Sequence, residues 1–391
     1  MTTIMVLGAG YAGLRVVKRL AHAKTDAHVV LVNQNEYHYE STQLHQLAAG
    51  TKEPADVVFD LRKSLPDSVT LIVDKVVGID QDSHRVSLEH HDPLSYDYLV
   101  NALGFESETF GIKGAEEHGW PIVDVDTALA ARRKLEQTLA RYQTSHDPLD
   151  LSIAVCGAGF TSIEYLGELV YRLPQLSKRL GFPMDRVKVD CIEASPKILP
   201  MFSKDLVDWA VDYLSKRGVN FHTSTPITEV KQGAVVSNDQ EFKAHTIIWT
   251  TGVRGSHVIA DSGYNQKRNR VVVRDDLSVE QHPEEFLVGD VSAVPDPQSG
   301  RLYPTTAQIS MAQADTAAAN VLARTRGQEP QRFTFRSEGT VCSLGPHAGV
   351  AEIDRMGTLK LRGRMVSVLK WIVNERSVLE LADVRTMLES N

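Results

Sequence analysis

The sequence predicts an α/β fold with two Rossmann-like domains, the second inserted in the first, followed by a small C-terminal β-meander and helical region. The main observation is a repeated pattern: an apolar strand, a glycine-rich turn, a helix and a second strand occur at residues 3–33 and again at 151–193. Further strands and helices alternate after each unit, which is typical of doubly wound parallel sheets. With 391 residues, the chain is long enough for two or three domains with separate cores.

The first unit contains the run TTIMVLGAGYAGLR. Its glycines Gly8, Gly10 and Gly13 lie between a strand and a helix, the context in which this spacing marks a dinucleotide-binding turn. The first glycine permits a tight turn, the second lets the backbone approach a pyrophosphate, and the third lets helix and strand pack closely. The helix N-terminus then offers free N–H groups to the phosphates. The second strand ends at Asn33, whose amide can bind a ribose hydroxyl in place of the usual acid.

The second unit contains the run CGAGFTSIEYLGEL. Here Gly157 and Gly159 are followed by Ser162, so serine replaces the third glycine. The next strand ends at Glu193. A carboxylate at this position accepts hydrogen bonds from both ribose hydroxyls of NAD and repels the 2′-phosphate of NADP. Glu164 lies in the first turn of the intervening helix. A carboxylate there either stabilises the helix dipole, by a few tenths to about 1 kcal/mol, or lies beside the nicotinamide, and the residues alone favour neither.

The remaining elements are predicted from apolar periodicity and from Gly and Pro as breakers. In chain order, the predicted elements are Thr3 to Leu7 (strand), Tyr11 to Ala23 (helix), His28 to Asn33, Thr70 to Val77, Val86 to Glu89 and Tyr98 to Leu103 (strands), Val125 to Tyr142, Thr161 to Leu180 and Ser203 to Arg217 (helices), strands near Val219, near Val235, at 245–252 and before Gly289, and an alanine-rich helix from Thr306. The polar stretch QTSHDPLD at residues 143–150 is interpreted as a linker.

Composition excludes some classes of function. The formal net charge of −8 argues against a nucleic-acid partner. The three cysteines, Cys156, Cys191 and Cys342, form no CxxC, which favours a reducing compartment over a disulfide scaffold. The chain starts directly with a strand, so no signal peptide is expected, and no run approaches the roughly 18 apolar residues of a spanning helix. We therefore expect a soluble or peripherally attached cytoplasmic protein.

Eight stretches together resemble the type II NADH:quinone oxidoreductases, the single-subunit, non-proton-pumping NADH dehydrogenases among the flavoproteins with two dinucleotide-binding domains. They are GAGYAG, NEYHYESTQLHQLAAG, LVNALGFESETFGIKG, GAGFTSIEYLGEL, EASPKILPMFS, WTTGVRGS, FLVGD and RLYPTTAQIS. The resemblance runs almost end to end, and it is specific because the stretches occur jointly and in family order. It implies an FAD-binding domain in two parts, 1–118 and 253–326, around an NADH-binding domain at 119–252, with 327–391 for membrane attachment or dimerisation.

The resemblance implies that FAD binds the first glycine turn, with Asp290 at its ribityl chain and Thr42 near the pyrophosphate or the ring. The segment Thr306-Ala307-Gln308 would face the isoalloxazine from a helix N-terminus. The implied FAD-binding residues are Gly8, Gly10, Tyr11, Ala12, Gly13, Asn33, Thr42, Val76, Ala102, Leu103, Gly104, Gly289, Asp290, Thr306, Ala307 and Gln308. His38 and His45 are interpreted as loop packing and no metal is predicted, because no carboxylate or cysteine partners suggest a metal site.

NADH is expected at the second turn. The implied NADH-binding residues are Gly157, Gly159, Phe160, Thr161, Glu164, Glu193, Gly252 and Val253. The resemblance implies that hydride passes from the nicotinamide to the flavin, and that two electrons then pass to a membrane quinone, expected to be of the menaquinone type, without proton pumping. The matching glutamate of the family lies near the nicotinamide–flavin contact, which favours a catalytic role for Glu164.

The family's quinone signature, AQxAxQ, reads AQISMA in this chain. Gln308 is the first glutamine of this signature, and we expect it to form a hydrogen bond with a quinone carbonyl. With Glu164, it is therefore predicted to be a catalytic residue. Ala312 replaces the second glutamine. Gln313 follows, but one step along a helix turns a side chain by about 100°, so Gln313 is not an obvious substitute. The replacement of this glutamine by Ala312 makes the use of a quinone less certain than the binding of FAD or NADH.

The C-terminal region has two candidate helical apolar faces. The faces are Met365, Val368, Leu369 and Ile372, and then Val378, Leu381, Ala382 and Leu388; the basic residues beside the first are Lys360, Arg362, Arg364, Lys370 and Arg376. This pattern, with Trp371 as an interface-type aromatic, predicts peripheral attachment to the cytoplasmic face of the membrane. The alternative is a helix that packs on its own core or on a second subunit, and a homodimer is expected.

Other functions stay open from the sequence. A sulfide:quinone oxidoreductase needs a redox pair of cysteines, but Cys156 is expected to be an ordinary buried thiol, and such an enzyme has no use for Glu193. A pyridine nucleotide–disulfide reductase is excluded because its CxxC or CxxxxC is missing. A soluble NADH oxidase or a ferredoxin-type reductase fits if the acceptor has changed. The alternative from a different class is a redox-sensing protein that holds FAD and NADH and signals by interaction.

Overall fold

The computed structural model describes residues 1–23, 25–238, 240–297, 299–354 and 358–382. Within these ranges the α-helices are α1 (Tyr11–His22), α2 (Leu44–Ala49), α3 (Leu61–Ser64), α4 (Ala115–His118), α5 (Val125–Ser145), α6 (Phe160–Leu180), α7 (Lys204–Ser215), α8 (Val258–Asp261), α9 (Ala307–Thr325) and α10 (Arg364–Leu381). The strands up to the end of the second large sheet are β1 (Thr3–Leu7), β2 (His28–Asn33), β3 (Tyr37–Tyr39), β4 (Val58–Asp60), β5 (Val69–Val73), β6 (Val76–Asp80), β7 (Arg85–Leu88), β8 (Leu94–Ser95), β9 (Tyr98–Asn101), β10 (Phe105–Ser107), β11 (Trp120–Pro121), β12 (Ser152–Cys156), β13 (Lys188–Ile192), β14 (Val219–His222), β15 (Ile227–Lys231), β16 (Ala234–Ser237), β17 (Gln240–Lys243) and β18 (Thr246–Trp249). The later strands are β19 (Val253–Gly255), β20 (Gln266–Lys267), β21 (Arg270–Val272), β22 (Glu285–Leu287), β23 (Ser292–Ala293), β24 (Thr340–Ser343), β25 (Gly349–Ile353) and β26 (Leu359–Arg362).

Two five-stranded sheets form the frame of the molecule. The first has the order β22–β9–β1–β2–β5, and the second has the order β11–β18–β12–β13–β14. All neighbours in both sheets are parallel. After a first hydroxyl residue, strands β1 and β12 are apolar, and both are almost fully buried, because helices cover both faces of a parallel sheet.

The chain builds the second sheet before it completes the first. It leaves the first sheet after β9, forms the whole second sheet, and returns to add β22 beside β9. The second domain is therefore inserted in the first, and the predicted fold class is confirmed. The boundary residues of the domains stay predictions. After α9, an antiparallel meander of β24, β25 and β26 carries α10, which packs against β24 and β25.

The stretch predicted as one strand at Thr70 to Val77 is two strands, β5 and β6, in different sheets. The chain breaks at Asp74, a buried residue whose carboxylate accepts hydrogen bonds from the backbone N–H groups of Lys75, His90 and His91. This polar anchor interrupts an otherwise continuous apolar pattern. Periodicity alone does not reveal it, because the histidines that bind Asp74 come from a later loop.

The stretch at 143–150 is not a free linker. Helix α5 continues to Ser145, and Asp150 is fully buried at the corner before β12. The Asp150 carboxylate accepts hydrogen bonds from Arg141 and lies 2.7 Å from His245 Nδ1. The buried Asp150 carboxylate therefore ties the corner to α5 and to the residue before β18, while residues 143–146 are exposed to solvent.

Candidate active site

The first glycine turn leaves no room for a side chain at two of its three glycines. Gly8 has a φ of +88°, and a Cβ placed on it would lie 2.4 Å from the Ala102 carbonyl oxygen. A Cβ on Gly13 would lie 1.9 Å from the Gly8 carbonyl oxygen, so this glycine lets α1 pack on the turn. At Gly10, no atom of the described residues lies within 4 Å of such a Cβ, which leaves open the space that a pyrophosphate would fill. No described side chain caps α1 at Gly10, so its N–H groups remain available for an anion.

The second turn repeats this geometry. Gly157 has a φ of +101°, and a Cβ on it would lie 2.6 Å from the Thr250 carbonyl oxygen. Ser162, at the position of the third glycine, is fully buried, and its Oγ lies 2.9 Å from Thr250 Oγ1. The serine thus adds a hydrogen bond between α6 and the end of β18. The N-terminus of α6 at Gly159 likewise has no side-chain cap within the part of the chain described.

Asn33 and Glu193 occupy equivalent places, immediately at the ends of β2 and β13. The Asn33 side-chain oxygen accepts a hydrogen bond from the Ala9 N–H at 2.9 Å, and one Glu193 oxygen accepts from the Ala158 N–H at 2.7 Å. The other Glu193 oxygen accepts from the Ser195 N–H at 2.7 Å. Each side chain therefore lies against the middle of its glycine turn, where a bound nucleotide places its ribose. The two sites differ in charge, because only the second presents a carboxylate.

A cavity of about 330 Å³ opens at the carboxyl ends of the first sheet. The predicted residues that line this first-sheet cavity are Gly8, Gly10, Tyr11, Ala12, Asn33, Val76, Ala102, Leu103, Gly104, Gly289 and Asp290. Gly13 lies behind the turn, in keeping with its packing role. Ligands of doubly wound sheets bind at this edge, so the shape and the glycine turn fit a dinucleotide cofactor. Burial raises the pKa of Asp290 to about 6, although Arg270 opposes the shift.

A second cavity of about 1060 Å³, here called the junction cavity, lies where the two domains and the C-terminal region meet. The predicted residues that line it are Tyr11, Thr42, Gly159, Phe160, Thr161, Glu164, Gly252, Val253, Asp290, Thr306, Ala307 and Gln308. Tyr11 and Asp290 line both cavities, so the two spaces are adjacent. Residues from both glycine-turn units thus border one space. Gly157 and Glu193 line neither cavity; they lie at the second glycine turn and at the end of β13, where Glu193 accepts the hydrogen bond from the Ala158 N–H.

Glu164 belongs to a buried ion pair in the junction cavity. One of its carboxylate oxygens accepts hydrogen bonds from Lys370 Nζ at 2.9 Å and from the Ser343 N–H at 2.9 Å. Burial acts to raise the pKa of Glu164, but the Lys370 ammonium, together with His45 and Ser343, outweighs it and holds that pKa below its usual range. Burial likewise acts to lower the pKa of Lys370, and Glu164 more than reverses this. Both groups are therefore charged, and they join α6 to α10 across the cavity.

His45 also belongs to this cluster, which corrects its interpretation as loop packing. Its Nδ1 lies 3.6 Å from the second carboxylate oxygen of Glu164, and it lines the junction cavity. Burial lowers the pKa of His45 to about 4, so the ring is neutral near pH 7. Its Nε2 is buried and has no hydrogen-bond partner among the described residues. The carboxylate partner was not apparent from the sequence because Glu164 lies more than one hundred residues later.

Gln308 lies in the first turn of α9 and lines the junction cavity; its contacts with a flavin or a quinone stay predictions. Thr306 caps this helix by accepting a hydrogen bond from the Ile309 N–H at 3.3 Å. Gln313 serves a different purpose, because its side-chain oxygen accepts a hydrogen bond from the Gly289 N–H at 2.6 Å. Gln313 therefore fixes the loop that carries Asp290 and does not replace the glutamine missing at Ala312.

The three cysteines are free and buried. Cys156 and Cys342 belong to different core clusters, and burial raises the pKa of each thiol well above its ordinary value. Thiols that stay protonated and separate do not form the redox pair that a sulfide:quinone oxidoreductase or a disulfide reductase needs.

Helix α10 departs from its prediction at Lys370. The sequence placed Lys370 beside the outer apolar face, whereas the structure directs it inward to Glu164. Val366, one turn earlier, is fully buried, so Lys370 continues the buried face and not the exposed one. Val378, Leu381 and Ala382 of the second predicted face are buried, and Leu388 lies outside the described residues. Within the described chain, no helix has the length and hydropathy required to cross a membrane.

Two dinucleotide-binding units that open onto one cavity define a class, the flavoprotein reductases with two such domains. In agreement, residues 2–316 match the model of the family described as pyridine nucleotide-disulphide oxidoreductase. Over 390 residues, covering 97% of this chain and 96% of the relative, the sequence is 42% identical to a type II NADH:quinone oxidoreductase of Staphylococcus epidermidis. It is 41% identical over 391 residues to one of Staphylococcus aureus, with the same coverage. The chain belongs to the type II NADH:quinone oxidoreductase family, as the sequence motifs predicted.

Solved structures show the same fold at low identity. The structure of NDH2 from Plasmodium falciparum in complex with NADH has a TM-score of 0.87 and 17% identity, and the match covers 100% of this chain and 97% of that one. The sulfide:quinone oxidoreductase of Aquifex aeolicus has a TM-score of 0.81 and 20% identity, with coverage of 97% and 91%. At such identities the likeness concerns the fold, and the difference between these activities depends on the side chains at the site.

Proposed function

We propose that this chain is an FAD-dependent NADH:quinone oxidoreductase whose chemistry takes place in the junction cavity. The observation that carries the proposal is that this single cavity is bordered by residues from both glycine-turn units, Tyr11 of the first and Phe160 of the second among them. A donor and an acceptor bound at the two turns would meet there, in the arrangement that hydride transfer requires. Family membership supports the same activity.

The first-sheet cavity would hold FAD, which supplies the hydride acceptor and passes electrons on. The residues of this chain would hold it in place: the free N–H groups at Gly10 would bind the pyrophosphate, Asn33 the ribose, and Asp290 the ribityl chain. Asp290 suits this role because it lies between the two cavities. A hydroxyl hydrogen bond to its buried carboxylate would replace the water that burial removes.

The second turn would hold NADH and release it after each turnover. Glu193 presents its carboxylate at the end of β13 to accept hydrogen bonds from both ribose hydroxyls. Gly252 and Val253, at the edge of the junction cavity, would lie beside the nicotinamide. The carboxylate at Glu193 would repel a 2′-phosphate, so we expect selectivity for NADH over NADPH.

The quinone end of the junction cavity would be formed by Gln308, Glu164 and Lys370. The Gln308 amide is suited to donate a hydrogen bond to a quinone carbonyl, and the Lys370 ammonium stabilises negative charge that develops on quinone oxygen. Tyr303, Phe335 and Val341 line the same cavity and add apolar surface to it. Such a mixture, with few polar groups in an apolar lining, suits a lipid-soluble ring.

Helix α10 supports a membrane quinone as the substrate. Lys370 lines the junction cavity, while its neighbour Trp371, turned by about 100° around the helix, is 55% exposed. Met365, Val368 and Ile372 are exposed on this outer side as well. One helix would therefore lie on the lipid surface and also form a wall of the quinone cavity. We propose peripheral attachment through this outer face; the menaquinone type and the homodimer stay predictions.

The two half-reactions test this function. We expect NADH to bleach the FAD-loaded protein and a quinone to restore its colour faster than oxygen does. In Gln308→Ala, stopped-flow traces should show bleaching by NADH close to the wild-type rate and recolouring by quinone slowed about 10-fold, as for the loss of one hydrogen bond to a reacting group. Gln328→Ala, an exposed glutamine beyond α9, is the matched control. Equal slowing of both half-reactions would contradict the role of Gln308, and a wild-type protein that quinone does not recolour would contradict the function.

A further inference from the structure

A buried pair of titratable side chains lies beneath the first glycine turn and has no part in the steps above. His38 and Glu40 are 1% and 2% exposed. His38 Nε2 and Glu40 Oε1 lie 3.4 Å apart, an ion-pair separation. Neither atom has a hydrogen-bond partner among the described residues. Two polar atoms that are buried and face each other without a partner require an explanation.

The contacts of His38 fix the position of one of its protons. Its Nδ1 lies 2.7 Å from the Ala9 carbonyl oxygen, which only accepts hydrogen bonds, so Nδ1 carries a proton. In the absence of a further proton, the lone pair of Nε2 would face a carboxylate lone pair of Glu40 in a site that excludes water. One additional proton, on either atom, converts this repulsion into attraction. The geometry therefore indicates that the pair holds one proton in common.

The pair is connected to the junction cavity by two hydroxyl groups. The Tyr11 hydroxyl donates a hydrogen bond to the other oxygen of Glu40 at 2.7 Å. The same hydroxyl lies 2.9 Å from Thr42 Oγ1, and both Tyr11 and Thr42 line the junction cavity. Burial and the nearby Glu40 raise the pKa of Tyr11 well above its ordinary value. The phenol therefore keeps its proton and transfers it only as it receives another.

The surroundings contain few other titratable groups. The His38 ring stacks on Phe59 from β4 with a centroid distance of 4.7 Å, and it meets Tyr11 from α1 edge to face at 5.6 Å. Tyr39 lies between His38 and Glu40 in the sequence, and its ring stacks on the His38 ring, so it is a further titratable neighbour of the pair. Burial, with Asp124, Tyr37 and Asp290 as further causes, raises the pKa of Tyr39, so it stays neutral. A proton held by the pair would therefore reach the junction cavity through Glu40, Tyr11 and Thr42, which are connected by hydrogen bonds.

We propose that the His38–Glu40 pair stores a proton and delivers it through Tyr11 and Thr42 to the quinone. The proposal rests on the proposed function, whose overall balance is NADH plus quinone plus one proton giving NAD⁺ plus quinol. The hydride supplies two electrons and one of the two quinol hydrogens, and the pair supplies the other. His38 is a positioning residue, because it acts through Glu40.

The delivery step moves one proton along four oxygen atoms. The shared proton first moves to the Glu40 oxygen that faces Tyr11, and the Tyr11 hydroxyl, which donates to that oxygen at rest, turns to donate to Thr42. The Thr42 O–H bond then breaks as the quinone O–H bond forms, Tyr11 gives its proton to Thr42, and Glu40 gives its proton to Tyr11. The pair is left as a neutral histidine, protonated at Nδ1, and a carboxylate. When the quinol has left, water in the junction cavity returns a proton along the same route.

Glu40→Gln and Tyr11→Phe test the proposal from its two ends. The amide that Glu40→Gln introduces still accepts from Tyr11 and can donate to His38 Nε2, so the hydrogen bonds survive while the acid is lost. Tyr11→Phe removes the connecting hydroxyl and leaves the pair intact. Glu36→Gln is the matched control, because Glu36 lies on the same loop and its side chain is 67% exposed. Each variant is prepared as full-length, FAD-loaded protein, with FAD content and Tm measured.

Stopped-flow measurement of the two half-reactions, from pH 6 to 9 and in H₂O and D₂O, decides the outcome. We expect bleaching by NADH within twofold of wild type in Glu40→Gln and Glu36→Gln, and recolouring by a water-soluble naphthoquinone slowed at least tenfold in Glu40→Gln, with an altered pH profile. Because Tyr11 also lines the cavity that would hold FAD, Tyr11→Phe is judged by the ratio of its recolouring rate to its bleaching rate, which should fall at least tenfold. Wild-type recolouring in both variants, or equal slowing of both half-reactions, overturns the proposal. Should Glu40→Gln fail to hold FAD, Tyr11→Phe decides alone. Wild-type protein that bleaches but is not recoloured by quinone would contradict the proposed function instead.

Discussion

At the scale of single residues, the nucleotide preference depends on the group at the end of a strand. Asn33 and Glu193 make the same hydrogen bond to their glycine turns, so the backbone does not distinguish the two sites. What differs is charge. A carboxylate accepts two ribose hydroxyls and repels a phosphate, whereas an amide does neither as strongly.

Glu193→Ala is therefore expected to raise the KM for NADH by about 10-fold and to reduce the preference for NADH over NADPH by a larger factor. The substitution removes the ribose hydrogen bonds and also frees the Ala158 and Ser195 N–H groups, which can then bind a 2′-phosphate. The measurement is kcat/KM for both nucleotides with a fixed quinone concentration. Glu241→Ala, which removes an exposed carboxylate in the same domain, should leave the ratio unchanged. An unaltered ratio in Glu193→Ala would remove Glu193 from the nucleotide site.

Most of the candidate site follows from the sequence because glycine turns and strand ends are local patterns. Gly8, Gly157 and Glu193 could be assigned from their immediate neighbours alone. His45 and Lys370 could not, since each is defined by Glu164, which lies far from both in sequence. For Lys370 a signal was present: it follows Val366 by one helical turn, on the face that is buried. The basic composition of the helix obscured it.

At the scale of elements, α6 connects the second glycine turn to the C-terminal region. It begins at the turn, presents Glu164 to Lys370 and Ser343, and then crosses the loop between β24 and β25 at Gly167. A Cβ on Gly167 would lie 2.4 Å from the backbone nitrogen of Gly345. This close approach sets the distance at which Ser343 reaches Glu164.

Gly167→Ala is accordingly expected to destabilise the protein by about 2–4 kcal/mol, because the loop must move away from a backbone contact that cannot yield locally. The same displacement should weaken the hydrogen bonds of Ser343 to Glu164 and slow recolouring by quinone. Chemical denaturation of FAD-loaded protein measures the free energy of unfolding. Gly78→Ala is the control, since its Cβ would meet Ser87 at 3.8 Å, an ordinary contact distance, and it should change stability by less than about 1 kcal/mol. Similar stability of the two variants would show that α6 has more room than the structure indicates.

The elements themselves were predicted well where apolar periodicity is strong. Strands β1 and β2 and the start of α9 fall at the predicted residues. The predictions were wrong at Asp74 and Asp150, where a buried carboxylate receives hydrogen bonds from distant parts of the chain. Polar residues look like solvent-exposed turns in a sequence, and burial with partners becomes visible only when the fold brings those partners near.

At the scale of the whole molecule, two five-stranded parallel sheets face one cavity, and a third unit closes it. The C-terminal meander and α10 complete the lining of the junction cavity, through Thr340, Val341 and Lys370. The buried pair of Lys370 and Glu164 joins that third unit to the second domain. If α10 packed elsewhere, Glu164 would be left as a buried charge without its partner Lys370, which is energetically unfavourable. The pair therefore favours this one position of α10.

The outer face of α10 gives the prediction that involves the whole molecule and its surroundings. Trp371 and Ile372 are half-exposed, and Arg362 and Arg364 lie exposed beside them, so the surface combines apolar side chains with positive charge. The double substitution Trp371→Ser and Ile372→Ser should reduce sedimentation with anionic lipid vesicles at least 10-fold, because each large apolar side chain contributes about 1.5–3 kcal/mol when buried. Binding of the wild type should weaken with added salt.

The activity of this double variant separates the membrane role from the catalytic one. Turnover with a water-soluble quinone should stay at the wild-type level, since both side chains point away from the junction cavity, while turnover with a long-chain quinone in vesicles should fall with the loss of binding. Val272→Ser, at a residue of β21 that is 63% exposed, is the control and should change neither. If sedimentation is unchanged but analytical ultracentrifugation shows a smaller assembly, the face is a contact between subunits. The lipid surface would then have to meet another part of the molecule, because the exposed apolar side of α10 would already be covered.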